Sequence, residues 1–242
     1  MNKAALNMQS DKRQTIVDAV IESRSSIRAF TAQEVPKDEI MQILRVASRA
    51  PSGTNCQPWK VYVLRGKNRA DLVDKICRVH DQIYADSLIG AKYLEEYDYY
   101  PRKWFEPYLA RRRQNGYALY ALLGIEKGDK ARMHAQHQRN FRFFDAPIGM
   151  IFTIDRNLGH GSLVDCGMFL QNLMLAAKSR GIDTCPQAAW NHFGRIILPH
   201  VGAGPNEMLL CGMAIGYANG NAPENSLLTP RVPPESFTTF LD

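Results

Sequence analysis

The sequence predicts a mixed domain, α/β or α+β, in which strands are separated by helices. Three observations carry this. Trp59–Leu64, Ile148–Ile154 and Glu207–Tyr217 have the β-branched and aromatic content of strands. The stretches between them show apolar residues at helical spacing. The 242-residue chain is 45% hydrophobic and 22% charged, which suffices for a core of ordinary globular composition.

The elements follow in order. The first dozen residues are polar and read as loose. Thr15–Glu22 is a short helix with Ile16, Val17, Ala19 and Val20 as its apolar positions. Pro36 opens a second helix, Asp38 and Glu39 fill its first turn, and Ile40, Ile43, Leu44 and Ala47 recur on one face before Pro51 stops it. The strand from Trp59 leads to a helix over 71–79. The stretch 84–125 holds eight of the ten tyrosines, with Trp104, Phe105 and the run Arg111-Arg112-Arg113, and reads as a helical excursion from a single domain spanning 1–242. A helix over 132–144 precedes the strand at Ile148. Over 162–180, Ser162 and Asp165 have capping-box spacing and Gly181 closes the end. The apolar residues there cover most of the circumference, which indicates a helix at the centre of the domain or at a subunit interface. The segment 218–242, rich in Pro and Asn, reads as an extended arm.

Composition excludes several classes. The five cysteines are odd in number, scattered and without a C-x-x-C pair, which argues against a disulfide framework and a zinc site. Met1–Arg13 is polar and no apolar run reaches the roughly 18 residues of a membrane span, so a cytoplasmic protein is expected. A net charge of +6 favours anionic ligands without requiring nucleic acid. Gly159-His160-Gly161 lacks the third glycine of a dinucleotide fingerprint, since Val164 stands there. His134 and His137, with no acidic residue in the local pattern, read as surface residues and no metal is assigned.

Two motifs suit a mononucleotide. Arg24-Ser25-Ser26-Ile27-Arg28 puts two guanidinium groups and two hydroxyls within five residues, as an anion grip requires. On composition alone a solvated basic patch is the favoured reading, because basic clusters usually face solvent. Pro51-Ser52-Gly53-Thr54-Asn55-Cys56-Gln57-Pro58-Trp59 is a turn whose Asn55 and Gln57 amides match the alternating donors and acceptors of a flavin edge, or else a simple helix-to-strand loop.

In order along the chain, these motifs, then Gly181-Ile182-Asp183-Thr184-Cys185-Pro186-Gln187-Ala188-Ala189-Trp190, then Gly216-Tyr217 with Thr229-Pro230-Arg231, resemble the FMN-dependent nitroreductase family, and its nitrobenzoate-reductase-like branch in particular. The resemblance implies an α+β fold with a central, mostly antiparallel sheet flanked by helices, in an intertwined homodimer with FMN sites at the interface. It implies that Arg24, Ser25, Ser26 and Arg28 hold phosphate, ribityl and pyrimidine edge, with Arg231 as a third cation. Pro51, Ser52, Gly53, Asn55 and Gln57 would serve the FMN held mainly by the other subunit. Pro186, Gln187, Ala188 and Ala189 would run beside the ring, and Gln136 would match a position at its pyrimidine edge. From their side chains alone, Tyr99, Trp104 and Tyr108 either lid the flavin and stack on an aromatic substrate or cover core edges or the dimer seam.

The implied activity is ping-pong hydride transfer from NADH or NADPH through FMN to a nitroaromatic, giving nitroso and hydroxylamine products without a side-chain acid. The same fold acting on quinones, enones or halogenated phenols is the alternative, and a basic nucleic-acid-binding protein is a third reading. One departure stands out: Ala188 and Ala189 occupy a place where many members carry an acidic residue and a glycine.

Overall fold

The computed structural model describes residues 3–241, with side chains from residue 12 onward. Four strands, β1 (Lys60–Leu64), β2 (Ile148–Asp155), β3 (Asp183–Gln187) and β4 (Glu207–Gly216), form one sheet in the order β1-β2-β4-β3, antiparallel throughout. Seven helices surround it among the described residues: α1 (Lys3–Ser23), α2 (Lys37–Ala47), α3 (Gly66–Ala85), α4 (Tyr108–Leu122), α5 (Lys130–Gln138), α6 (Gly161–Lys178) and α7 (Gly194–Val201). The expectation of an α+β fold around an antiparallel sheet is met. Among the described residues, no helix is long and apolar enough to cross a membrane.

The sheet is buried on both faces, which is why β2 and β4 read as nearly continuous apolar runs. Met150, Phe152 and Ile154 join Ile40 and Ile43 of α2 and Phe169 and Leu173 of α6 in one core. Ile151 and Leu209 point the other way, onto Leu72 and Ile76 of α3, Ile197 of α7 and the aromatic group Phe141, Phe143, Trp190 and Phe193. Glu207 binds the sheet together at the start of β4. Its carboxylate accepts from Lys60 Nζ (2.9 Å), Tyr62 Oη (2.8 Å), Thr153 Oγ1 and the Gly204 N–H (3.0 Å). Against a desolvation cost, these donors hold it down at about 2.

Several boundaries differ from expectation. Helix α1 begins at Lys3, so the stretch read as loose is helical from there. Helix α3 extends well beyond 71–79 in both directions. The helix expected over 132–144 stops at Gln138, and a 3₁₀ turn follows over Arg139–Asp145 with left-handed backbone at Phe143 (φ 53°) and Phe144 (φ 50°). That reversal places the Phe143 ring on Trp190, stacked at 4.4 Å. Only the second half of the 84–125 excursion is regular helix. The Ser162/Asp165 capping box does not form: His160 is the N-cap without a side-chain bond. Asp165 turns inward, where its Oδ2 accepts from the Gly53 N–H at 3.2 Å.

Candidate functional site

The Arg24–Phe30 segment lies along the free edge of β3. Ser26 bridges Thr184 in parallel, and the Ile27 N–H donates to the Thr184 carbonyl at 3.1 Å. On its other side runs the C-terminal arm. The Thr31 N–H donates to Tyr217 O, the Asn219 N–H to Ala29 O, and Phe30 bridges Ala218. Asn225 closes this joint. Its Oδ1 accepts from the N–H groups of Arg28 (2.8 Å) and Ala29 (3.1 Å), and its Nδ2 donates to the carbonyls of Ala29 and Asn219. Three segments far apart in sequence therefore meet at one sheet edge.

Arg24, Ser25, Ser26 and Arg28 are half-buried there. Neither arginine has a carboxylate partner among the described residues; Arg28 Nη1 reaches only the Ser26 carbonyl, at 3.1 Å. Both cations, with the Ser26 hydroxyl, face the Cys185 thiol. Burial pushes that thiol up to about 11, and the two charges and the hydroxyl oppose the rise. Two guanidinium groups without a carboxylate partner, beside a buried edge strand, have the donor chemistry that an anion requires.

Further along the same strand, on its α6 side, lies a cavity of about 310 Å³, walled by Pro186, Gln187 and Ala188, by Leu163, Gly167 and Leu170 of α6, by Leu210 and Cys211 of β4, and by Tyr97 and Tyr99. Gln187 is buried. Its Nε2 donates to Asn140 O at 2.7 Å and its Oε1 has no partner. A 3₁₀ turn over Ala188–Phe193 begins at the cavity wall, and its first N–H groups lack partners within the turn. The ionisable walls stay neutral at physiological pH. Burial raises the Tyr97 and Tyr99 phenols and pushes the Cys211 thiol up to about 12.

The other predicted residues lie elsewhere in the same chain. The turn Pro51–Gln57 precedes β1, at the opposite edge of the sheet from β3. Three strand spacings separate the two edges, about 14 Å. The turn is largely exposed, with left-handed backbone at Thr54 (φ 50°), Asn55 (φ 61°) and Gln57 (φ 49°). Gln57 donates to its neighbours' oxygens, Ser52 Oγ and Asn55 O. Asp165 anchors the turn, and Trp59 stacks on Phe169 at 4.7 Å. Asp165 and Phe169 sit on the side of α6 away from Leu163, Gly167 and Leu170, since two residues advance about 200° around a helix. The body of α6 thus separates this turn from the cavity of its own chain.

Of the aromatic residues, Tyr99 lines the cavity; Trp104, under the Arg112 guanidinium at 4.8 Å, and Tyr108, packed on Phe105, are not among its walls. Arg231 is exposed, bonds only to Thr229 and Pro230 oxygens, and lies with Arg111 on a separate cavity between α4 and the arm. Gln136 lines a shallow groove on α5 with Arg132, Arg139 and Arg142. His134 is no free surface histidine: its Nε2 meets Asp81 Oδ1 at 2.8 Å, across helices.

Sequence reasoning missed Tyr97, Asn140, Asp165 and Asn225. Tyr97 alternates with Tyr99, so extended backbone puts both on one side, which was a readable signal. Nothing local distinguishes Asn225 from the other Asn residues of the arm.

Fold and site together define an α+β domain with an unneutralised arginine pair and a neutral cavity of about 310 Å³ along one edge strand of an antiparallel sheet. Residues 21–217 match the sequence pattern described as the Nitroreductase family. The chain is 35% identical to a 4-nitrobenzoate reductase of Nocardioides sp. (strain LMS-CY), over 93% of this chain and 89% of that protein. It is 37% identical to a chloronitrobenzene nitroreductase of Comamonas testosteroni, over 93% of this chain and 96% of that one. Among solved structures, the FMN and NADPH-dependent nitroreductase NfnB from Sphigopyxis sp. strain HMH superposes with a TM-score of 0.87 at 35% identity, covering 93% of this chain and 99% of that chain. NfnB from Mycobacterium smegmatis, solved in complex with NADPH, gives 0.85 at 28% identity, covering 95% and 99%. The chain belongs to the nitroreductase family.

Proposed function

We propose that this chain is an FMN-dependent NAD(P)H oxidoreductase that reduces nitroaromatic compounds as a homodimer. The observation that carries the reading is that one edge strand, β3, has an unneutralised arginine pair beside Cys185 and, from Pro186 onward, walls a neutral, tyrosine-lined cavity. The residues present suit FMN: cations for a phosphate, an apolar slot for a flat ring, and an unpaired buried Gln187 Oε1 to accept an N–H. Bound there, FMN supplies a ring that takes hydride from NAD(P)H and returns electrons to the nitro group.

The chain's own residues do the rest. Arg24 and Arg28 hold the phosphate, with Ser25 and Ser26 adding donors. Arg231, which also lacks a carboxylate partner, adds a third cation when the arm closes over the site. Asn140 fixes the Gln187 amide so that its oxygen is presented in one orientation. The N–H groups of Ala188 and Ala189, unpartnered within their own turn, would offer donors to developing negative charge. Leu163, Leu170, Tyr97 and Tyr99 exclude water and give an aromatic acceptor apolar surface. Donor and acceptor that must reach the same face of one bound ring would take turns there, so ping-pong kinetics are expected. Pro51, Ser52, Gly53, Asn55 and Gln57 complete the partner subunit's site, with Trp104 and Tyr108 at its mouth, while Gln136 borders the pyrimidine edge. Five free thiols suit a reducing cytoplasm.

The test is anaerobic. Purified chain is loaded with FMN, reduced with NADH or NADPH, and mixed separately with nitrobenzoate, a quinone, an enone and a halophenol. Fast reoxidation by nitrobenzoate is expected. Reoxidation by a non-nitro acceptor alone, or protein that retains no FMN, overturns the reading.

A further inference from the structure

Away from the flavin site, α3 and α5 meet through a cluster of imidazoles. His80 stacks on His134, with centroids 4.3 Å apart and planes 7° from parallel, and contacts His137 Nδ1 through Nε2 at 3.0 Å. The other nitrogen of His80, Nδ1, is buried without a partner. Asp81 Oδ1 receives His134 Nε2 at 2.8 Å and Gln138 Nε2 at 2.6 Å, and the carboxylate remains open to solvent.

We propose that His80, Asp81 and His134 bind a divalent transition-metal ion of the zinc, nickel or copper class. One donor atom from each lies within 4.8 Å of the others. A tetrahedral ion with bonds of about 2.0–2.1 Å spaces its ligands about 3.4 Å apart, so the cluster needs a small contraction. Two imidazoles and a carboxylate, with a fourth position open to water, are a donor set for such ions. His137 and Gln138 touch the ligands from outside and orient them. Because the two rings are stacked, one must tilt to share an ion, and Tyr84, stacked on His134 at 4.0 Å, yields on the outer side. The ion would fasten α5 to α3. Helix α5 runs directly into Arg139, which pairs with Glu224 of the arm, and Asn140, which holds Gln187.

Calorimetry on the tag-free, FMN-loaded chain titrated with zinc chloride tests this. One ion per chain is expected, with affinity lowered at least about tenfold in His80→Ala and in His134→Ala. His192→Ala, a histidine outside the cluster, should bind as the parent does. Zinc should raise the melting temperature of the parent and not of the two variants. No stoichiometric binding, or binding unchanged in both variants, overturns the proposal. Should the variants misfold, cobalt(II) on the parent decides. Weak ligand-field bands support the site, and an intense sulfur charge-transfer band places the ion on a cysteine and overturns it.

Discussion

The Arg24–Phe30 segment and the Ser52–Gln57 turn are both short, polar and rich in hydrogen-bonding side chains, yet the fold treats them in opposite ways. The first is held on two sides, by Thr184 of β3 and by the arm through Asn225. The second is exposed, bonds mostly to itself, is anchored through Asp165, and keeps three non-glycine residues in left-handed backbone. One is a finished half of a site. The other is a strained half that meets nothing of its own chain's cavity, from which α6 divides it. Backbone strain of this kind persists where the surroundings over-determine it and is concentrated at ligand clamps. On the proposed function, the two motifs, some 25 residues apart in sequence, would work on different copies of the cofactor.

The largest effect comes from testing that division directly. Arg24→Ala alone should cost about 1.5–3 kcal/mol of FMN affinity, the worth of a charge-assisted hydrogen bond. A second chain carries an equally damaging change in the turn, such as Asn55→Trp. When the two variants are co-expressed, a mixed dimer with sites shared across subunits contains one doubly damaged site and one intact site. Half the parental flavin and half the activity should return. If both motifs served the same site within one chain, every site would carry one defect and nothing would be recovered. Flavin content of the purified mixed dimer decides between them.

A second experiment strains the finished half from beneath. Gly212 of β4 pairs with Gln187 of β3, and a Cβ there would run into the Trp190 ring, which is fully buried and stacked on Phe143. Neither ring has room to retreat. Gly212→Ala should therefore destabilise the chain by about 1–3 kcal/mol, as overpacking does. It should also loosen FMN, because Gln187 shifts with its partner strand. Denaturant unfolding and flavin release are the readouts. A neutral result would mean that the platform under β3 is softer than its packing indicates.

The edge that carries the turn has a pH signature of its own. Glu207 ties Lys60 and Tyr62 of β1 to the centre of the sheet and is held at about 2 instead of 4.5. Between these values the unfolded chain binds the extra proton, so stability falls as pH drops from 4.5 toward 2, and the full contribution is present above 4.5. In Glu207→Gln this part of the acid dependence should disappear, and β1 should lose protection from hydrogen exchange before β3 does. Equal loss at both edges would remove the distinction.

Much of this was legible in the sequence. The apolar runs of β2 and β4 and the periodicity of α2 announced themselves because burial on two faces, or on one, leaves a regular pattern. The Arg24–Arg28 segment was legible only together with the later motifs, since by composition alone it reads as a solvated basic patch. What was hidden depended on tertiary partners. Asp165 has the spacing of a cap residue and acts as an anchor for Gly53 instead. The 139–145 turn reverses to seat Phe143 on Trp190, a contact 47 residues away that no local window contains. Asn225 gains its role only because the arm returns to Arg28.

The smallest effect bears on the strain itself. Thr54 is β-branched and sits at φ 50°, ψ 20°, where an L-residue is disfavoured by about 1–2 kcal/mol. Glycine removes that cost and adds about 0.5–1 kcal/mol of unfolded-chain entropy. The Thr54 hydroxyl bond to Gly53 O, at 2.7 Å, is exposed and counts for little. Thr54→Gly should thus gain up to about 1 kcal/mol of stability. If the turn is held strained in order to meet a partner's ligand, the same change should weaken FMN binding by letting the turn relax. Gain in stability with loss of flavin fits a clamp. Gain in stability with flavin unchanged leaves the strain as mere geometry and transfers the clamp's work to Asn55 and Gln57.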